Sequence, residues 1–424
     1  MAEFQAVLPK SQVVAAALRK TTEELANSLG RSFSQAHDSL PEWSDFEWRI
    51  AKAAAAIHGV APLLAGTLRW QGPAEWVQFL ADQKAHTLAR HRHIEELLAH
   101  IDERARQEGI ATVALKGAAL HALGLYVPGE RPMADVDLLV AERDSPVACR
   151  MIEALGFHQT LVTWKHRVFE AADGRPPGLL GEHAGNHLKI ELHTQIGEAL
   201  PVRITQVTQR IYPTQPHPGL NAYPSRAALM IHLLLHTSGA MVFRAVRLLH
   251  LCDLARLASR MTATDWDEVL RHGIAADPQG WTLLPLKLTA RYFTSTIPPH
   301  VLATLQPACP WLLTQVTRRR SLSDFSLSHP WVEAFPGIEW SRSTAEMLQY
   351  IVSRVRPPGA QLLAARRKML QSHASTQSEW QHLSQGRRVL RWVMSKPARD
   401  ETMFAVRAAL SGRCSSVSIN ERAT

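Results

Sequence analysis

Two aspartates stand two positions apart in the run DVDLLV, residues 135–140, at the mouth of an apolar segment suited to a buried strand. A strand period of two puts the Asp135 and Asp137 side chains on one face. There, like charges raise each other's pKa unless a cation lies between them. A divalent ion of the Mg2+ type takes hard oxygen ligands of this kind, usually one or two carboxylates plus substrate phosphates. Alone, the pair reads more simply as two exposed or capping aspartates at a strand end. A third carboxylate shifts that balance. Glu191 lies on the polar face of KIELH, residues 189–193, and a sheet would set that strand beside the first. Three carboxylates on adjacent strands are what in-line nucleotidyl transfer with two metals requires: one ion activates the attacking hydroxyl and the other steadies the triphosphate and leaving pyrophosphate.

The segment upstream suits the same chemistry. LKGAALHALGLY, residues 115–126, ends a short apolar strand, breaks at glycine and continues as a helix. Gly117 permits close backbone approach to a phosphate, and the helix N-terminus offers free N–H groups to an anion. Lys116 and Arg131 are the cations for a triphosphate; a solvated strand-end lysine and an ordinary loop arginine are the plain alternatives. His193 shares a face with Glu191, so it either orients that carboxylate and touches substrate or is satisfied by a neighbour. Arg247 and Asp253 either pair as a structural salt bridge or help to position the nucleotide. His232 and His236 have the i, i+4 spacing of a zinc pair, but HLLLH lacks the glutamate of a metalloprotease helix, so core or supporting histidines are expected.

These residues need a small α/β unit. IATVAL (110–115), DVDLLV and HLKIELHTQI (187–196) are the strand segments, the last with Leu188, Ile190 and Leu192 on one side and His187, Lys189, Glu191 and His193 on the other. DSPVACRMIEALGFHQT is an amphipathic helix ending at Gly156, and ADGRPPGLLGEHAGN (172–186) a turn-rich loop. Helical patterns flank this unit. One is expected over residues 11–29, with a linker from Gly30. Ser44 and Glu47 form a capping box for SDFEWRIAKAAAAIHGVAPLLAGTL, and a long helix runs to Gly109. Helices return after Pro224. The expected divisions are an extension (1–42), an N-terminal helical region (43–109), the core (110–215), a helical region (216–300), a basic helical region (301–410) and a disordered tail (411–424).

The 424 residues suggest two or three packed units, and 46% apolar content is globular. With 47 basic and 38 acidic residues the net charge is +9, which favours anionic partners; its even spread is equally that of a soluble basic protein. Cys149, Cys252, Cys309 and Cys414 form no CxxC pair, which excludes a zinc knuckle and fits a reducing compartment. No signal-peptide pattern opens the sequence, and no apolar run reaches the roughly 18 residues of a membrane span. A cytoplasmic protein without a membrane partner is expected. The clusters Arg318–Arg320, Arg366–Lys368 and Arg387, Arg388 and Arg391, with Trp380 and Trp392 nearby, suit either an acceptor surface or a solvated helix face. Nucleic acid is not the favoured acceptor.

The run LKGAALHALGLYVPGERPMADVDLLV resembles the signature of an uncharacterised nucleotidyltransferase family within the DNA polymerase β-like superfamily. IHGVAPLLAGTL resembles that family's helical lead-in, KIELHTQI its third-carboxylate strand, and HTSGAMVFRAVRLLHLCDLARL its C-terminal helix. The likeness covers about 43–295 and weakens near YIVSRVRPPGAQLL. It implies an α+β, mostly helical fold: a small polymerase β-like core flanked by helical regions. It further implies Gly117 in the nucleotide-binding turn, Asp135 and Asp137 as metal ligands and Glu191 as the third carboxylate. Ala118 follows Gly117 where superfamily members commonly have serine or glycine, and Glu191 stands where aspartate is common.

The expected activity is Mg2+- or Mn2+-dependent transfer of an NMP from an NTP such as ATP to a hydroxyl or phosphate acceptor. That acceptor is a peptide, a small natural product or a protein hydroxyl, and family likeness points to biosynthetic settings. The rival reading is a catalytically degenerate nucleotide-binding or partner-binding protein.

Overall fold

The computed structural model describes residues 9–171, 180–183, 186–272, 280–357 and 383–412. Most of the expected 172–186 loop, the Arg366–Lys368 cluster, Trp380 and the tail beyond residue 412 lie outside them. The fold is 58% helical with a mixed six-stranded sheet, the α+β, mostly helical architecture expected. No single described helix is long and apolar enough to cross a membrane.

Helix α1 (Ser11–Phe33) runs through Gly30, where a linker was expected. A Cβ there would run into the Tyr292 carbonyl oxygen, so this glycine serves a close helix crossing and does not break the helix. Helix α2 (Asp45–Ile57) opens with the expected box: Glu47 N–H donates to Ser44 Oγ at 3.3 Å, and Ser44 N–H donates to Glu47 Oε2 at 2.8 Å. The apolar pattern that continues beyond it is two helices, not one. Gly59 takes a left-handed φ of 66°, and α3 (Ala61–Thr67), with Pro62 in its first turn, leaves at 110° to α2. Helix α4 (Ala74–Gln107) ends before Gly109, whose φ is 69°. Trp43, Trp48, Trp70 and Trp76 form one aromatic cluster between these helices, with ring centroids 4.6 to 6.3 Å apart.

After α4 come β1 (Ala111–Ala114), α5 (Lys116–Ala122), β2 (Asp135–Val140), α6 (Ser145–Ala154), β3 (Phe157–Val162), β4 (His166–Ala171) and β5 (Lys189–His193). A separate hairpin, β6 (Gly197–Leu200) with β7 (Arg203–Gln206), precedes α7 (Thr208–Ile211) and β8 (Gly219–Asn221). The sheet order is β3-β4-β5-β2-β1-β8, with β2 parallel to β5 and the β3/β4, β4/β5 and β1/β2 pairs antiparallel. Period-two alternation gives the sheet two chemically different faces. Val136, Leu138, Val140, Ile190 and Leu192 pack with Ile94, Leu97 and Ile101 of α4 and Met151 and Ile152 of α6. The other face carries Asp135, Asp137, Glu191 and His193. It is covered by α8 (Arg226–Val242), which is followed by α9 (Leu248–Ala258), α10 (Ala263–His272) and α11 (Gly280–Tyr292). Thr262 and Asp265 cap α10 reciprocally.

His58 ties three of these parts together. Its Nδ1 accepts from Leu248 N–H at 2.9 Å, and its Nε2 lies 2.9 Å from Ser328 Oγ, itself 2.7 Å from Thr22 Oγ1. The ring must therefore be neutral with its proton on Nε2. Burial pushes the pKa from 6.5 down to about 3, against an opposing pull from Glu23. Below pH 6.5 the unfolded chain takes up a proton that the folded chain refuses, so this contribution is present above 6.5 and fades as pH falls toward 3. His58→Ala is expected to lose about 3 kcal/mol at pH 7, with the deficit shrinking as denaturant titrations move to lower pH. A deficit independent of pH would contradict the neutral tautomer.

Candidate active site

Register brings the acidic residues together. Strands β2 and β5 are parallel neighbours with Asp135 opposite Lys189 and Asp137 opposite Glu191. Strand β4, on the other side of β5, sets His166 opposite His193. Lys116 leaves the end of β1 on the far side of β2. Four adjacent strands thus deliver, in order across the sheet, His166, Glu191 with His193, Asp135 with Asp137, and Lys116.

Asp137 is the centre of the polar contacts. Lys116 Nζ donates to its Oδ1 at 2.8 Å, and His193 Nε2 lies 3.0 Å from the same atom. Asp137 is only 5% exposed. Burial by itself would raise its pKa, but Lys116 and His193 outweigh burial and hold the carboxyl well below the usual range. Asp135 has no such partner among the described residues: burial and then the Asp137 charge push it up to about 6. Lys116 shows the reciprocal effect. Burial opposes its charge, yet Asp137, Asp135 and Glu191 keep it an ammonium to higher pH than usual. Burial disfavours the His193 imidazolium too, but its interactions with Asp137 and Glu191 raise the pKa. One aspartate neutralised by a lysine beside another that ionises reluctantly is a site short of positive charge.

Lys116 adopts a left-handed φ of 45°, and its amide donates to the Tyr223 hydroxyl at 3.2 Å; that hydroxyl lies 2.7 Å from His232 Nδ1. The strained residue of the turn is the lysine, not the glycine after it. A Cβ on Gly117 would meet Arg131 Nη1 and lie 2.8 Å from Met133 Sδ, so the missing side chain admits these two neighbours. Arg131, expected among the phosphate cations, is 8% exposed and grips Asp253 with both arms: Nε to Oδ1 at 2.9 Å and Nη2 to Oδ2 at 2.8 Å. Tyr126 adds a third donor to Asp253 at 2.7 Å. Asp253 therefore pairs with Arg131 and not with Arg247, which is exposed at the start of α9.

A cavity of about 220 Å3 opens on this face, lined by Lys116, Asp135, His166, Glu191, His193 and His232, among others. Its far wall holds Lys165, whose Nζ donates to Glu198 Oε1 at 2.7 Å, and His236. A larger cavity of about 730 Å3 lies elsewhere, beside Phe33 and Trp266; its described lining has one histidine and no carboxylate or lysine, so volume alone does not locate the chemistry. His232 and His236 are supporting residues of the cavity wall, as their spacing without a glutamate suggests. Lys165, His166 and Glu198 escape a sequence reading. The strand HRVFEA mixes polar and apolar residues on both faces, leaving no alternation to find.

A family model described as an uncharacterised nucleotidyltransferase matches residues 44–294, which contain this face of the sheet and the helices that cover it. No curated protein and no solved structure matches the chain.

Proposed function

The chain belongs to the uncharacterised nucleotidyltransferase family, and we propose that it moves an NMP from an NTP such as ATP to a hydroxyl or phosphate acceptor, releasing pyrophosphate. The observation that carries this reading is the pairing of Asp137 with Glu191 across β2 and β5, with Asp135 beside them on one polar face. Their oxygens form the hard donor set that Mg2+ or Mn2+ takes, in a site whose negative charge exceeds its fixed positive charge. Bound there, such an ion lowers the pKa of the acceptor hydroxyl and neutralises charge developing on the α-phosphate and pyrophosphate.

The remaining work falls to the chain itself. Asp135, Asp137 and Glu191 hold the ions, and Glu191 assists deprotonation of the acceptor. Lys116 releases Asp137 when the nucleotide arrives and turns its ammonium to the triphosphate. Gly117 keeps the turn thin, and Arg131 holds it in place through Asp253. His193 orients Asp137 and Glu191. A cavity of about 220 Å3 takes the reacting centre but not a whole nucleotide, so base and sugar extend outward. A peptide, a small natural product or a protein hydroxyl is the proposed acceptor.

One observation favours a second reading. Lys116 already neutralises Asp137, an arrangement that suits a nucleotide-binding protein without turnover. Incubating the protein with each NTP, Mg2+ and candidate acceptors, itself included, separates the two. A mass increase of one NMP with pyrophosphate release is expected. Nucleotide binding that ignores Mg2+ and yields no product would leave the second reading.

A further inference from the structure

His166, Glu191 and His193 face one another from β4 and β5, and each offers one ligand atom within 4.8 Å of the others. Glu191 Oε2 stands 3.6 Å from His166 Nδ1 and 3.6 Å from His193 Nε2. These separations are too long for hydrogen bonds. They are close to the edge of a tetrahedron around an ion with bonds of about 2.0–2.1 Å, roughly 3.3 Å. His166 Nδ1 is also buried with no hydrogen-bond partner among the described residues. The two imidazole rings pack at 4.9 Å with an interplanar angle of 65°, so the strand pairing fixes both donors.

We propose that His166, Glu191 and His193 form a binding site for a borderline divalent ion of the zinc class, with its fourth position open to the cavity. Two imidazole nitrogens and one carboxylate select such an ion over Mg2+, which prefers six oxygen ligands and gives up water reluctantly. Three protein ligands plus one open position is the arrangement that zinc sites use when they act on a bound molecule. Ligation through His193 Nε2 displaces the proton it shares with Asp137 Oδ1, so ion binding releases one proton or moves it to Nδ1. The site shares Glu191 and His193 with the transfer reading and differs from it in His166, which has no part in that reaction, so His166 is the residue that tests it.

Full-length protein stripped by a chelator is titrated with Zn2+ against a chromophoric competitor and with Co2+ followed by absorption. One tight Zn2+ per chain is expected, with the intense Co2+ bands of a four-coordinate nitrogen-containing site. His166→Ala should weaken Zn2+ binding by at least about tenfold and remove the bands, while the melting temperature without ions and the Mg2+ affinity stay unchanged. His166→Asn replaces it if alanine unfolds the hairpin. Zn2+ binding unaltered by either variant, or only the weak Co2+ bands of an all-oxygen site, overturns the proposal. Intact Zn2+ binding in a protein that transfers no nucleotide would refute the transfer reading and leave this site standing.

Discussion

Asp137→Asn is expected to reduce incorporation of label from an α-labelled NTP by on the order of a thousandfold or more, with the far-ultraviolet circular dichroism unchanged. The size follows from the proposed role of the carboxylate: an ion held on a reacting phosphoryl group is worth several kcal/mol of transition-state stabilisation, and each 1.4 kcal/mol is about tenfold in rate. Asparagine keeps the shape but removes the charge that faces Lys116 at 2.8 Å and His193 at 3.0 Å. Asp137→Ala should be as inactive and less stable still, because it removes the oxygen that Lys116 and His193 face as well as the charge. Undiminished transfer by the asparagine variant would sink the assignment. Asp135→Asn is the informative companion. Its carboxyl is the one raised to about 6, so its removal relieves repulsion and should cost activity without costing stability.

The second large effect is on folding. Arg131→Met or Asp253→Leu is expected to destabilise the protein by about 3–5 kcal/mol in denaturant titration, because either leaves a charge buried without its partner. The pair is nearly sealed, at 8% and 2% exposure, and is bidentate. Making both changes together should recover much of the loss, since an apolar pair of similar volume avoids desolvating two charges. Tyr126, which donates to Asp253, limits that recovery. The double variant also tests what Arg131 does. If it only positions the Gly117 turn, recovered stability brings recovered nucleotide affinity. If it binds phosphate directly, stability returns and affinity does not.

Much of the site was legible because it obeys local rules. KIELH alternates with period two and DVDLLV opens on the same spacing, so the carboxylates of each strand could be assigned to one side before any pairing was known. The capping box at Ser44 was equally local. His166 was not, since its strand has no clean face. Gly30 misled in a related way, and the neighbours of Gly117 were equally hidden. Glycine marks either a break or a close approach, and composition does not separate the two; at both positions a side chain or carbonyl from elsewhere fills the space.

The amino-acid sequence by itself determined which chemistry was available: three carboxylates at strand spacing, a lysine and glycine at a strand end, and helical periodicities on either side. These depend on neighbours within a few residues, where backbone geometry dictates which side chains share a face. Only the tertiary structure decided who partners whom. Lys116 meets Asp137 at 21 positions' distance, Arg131 meets Asp253 at 122, and His166 comes to Glu191 and His193 through an antiparallel pairing that no local pattern announces. Charges of this kind carry no periodic signal. Their partners are set by register and burial, because inside the fold an unpaired charge is far more unfavourable than at the surface.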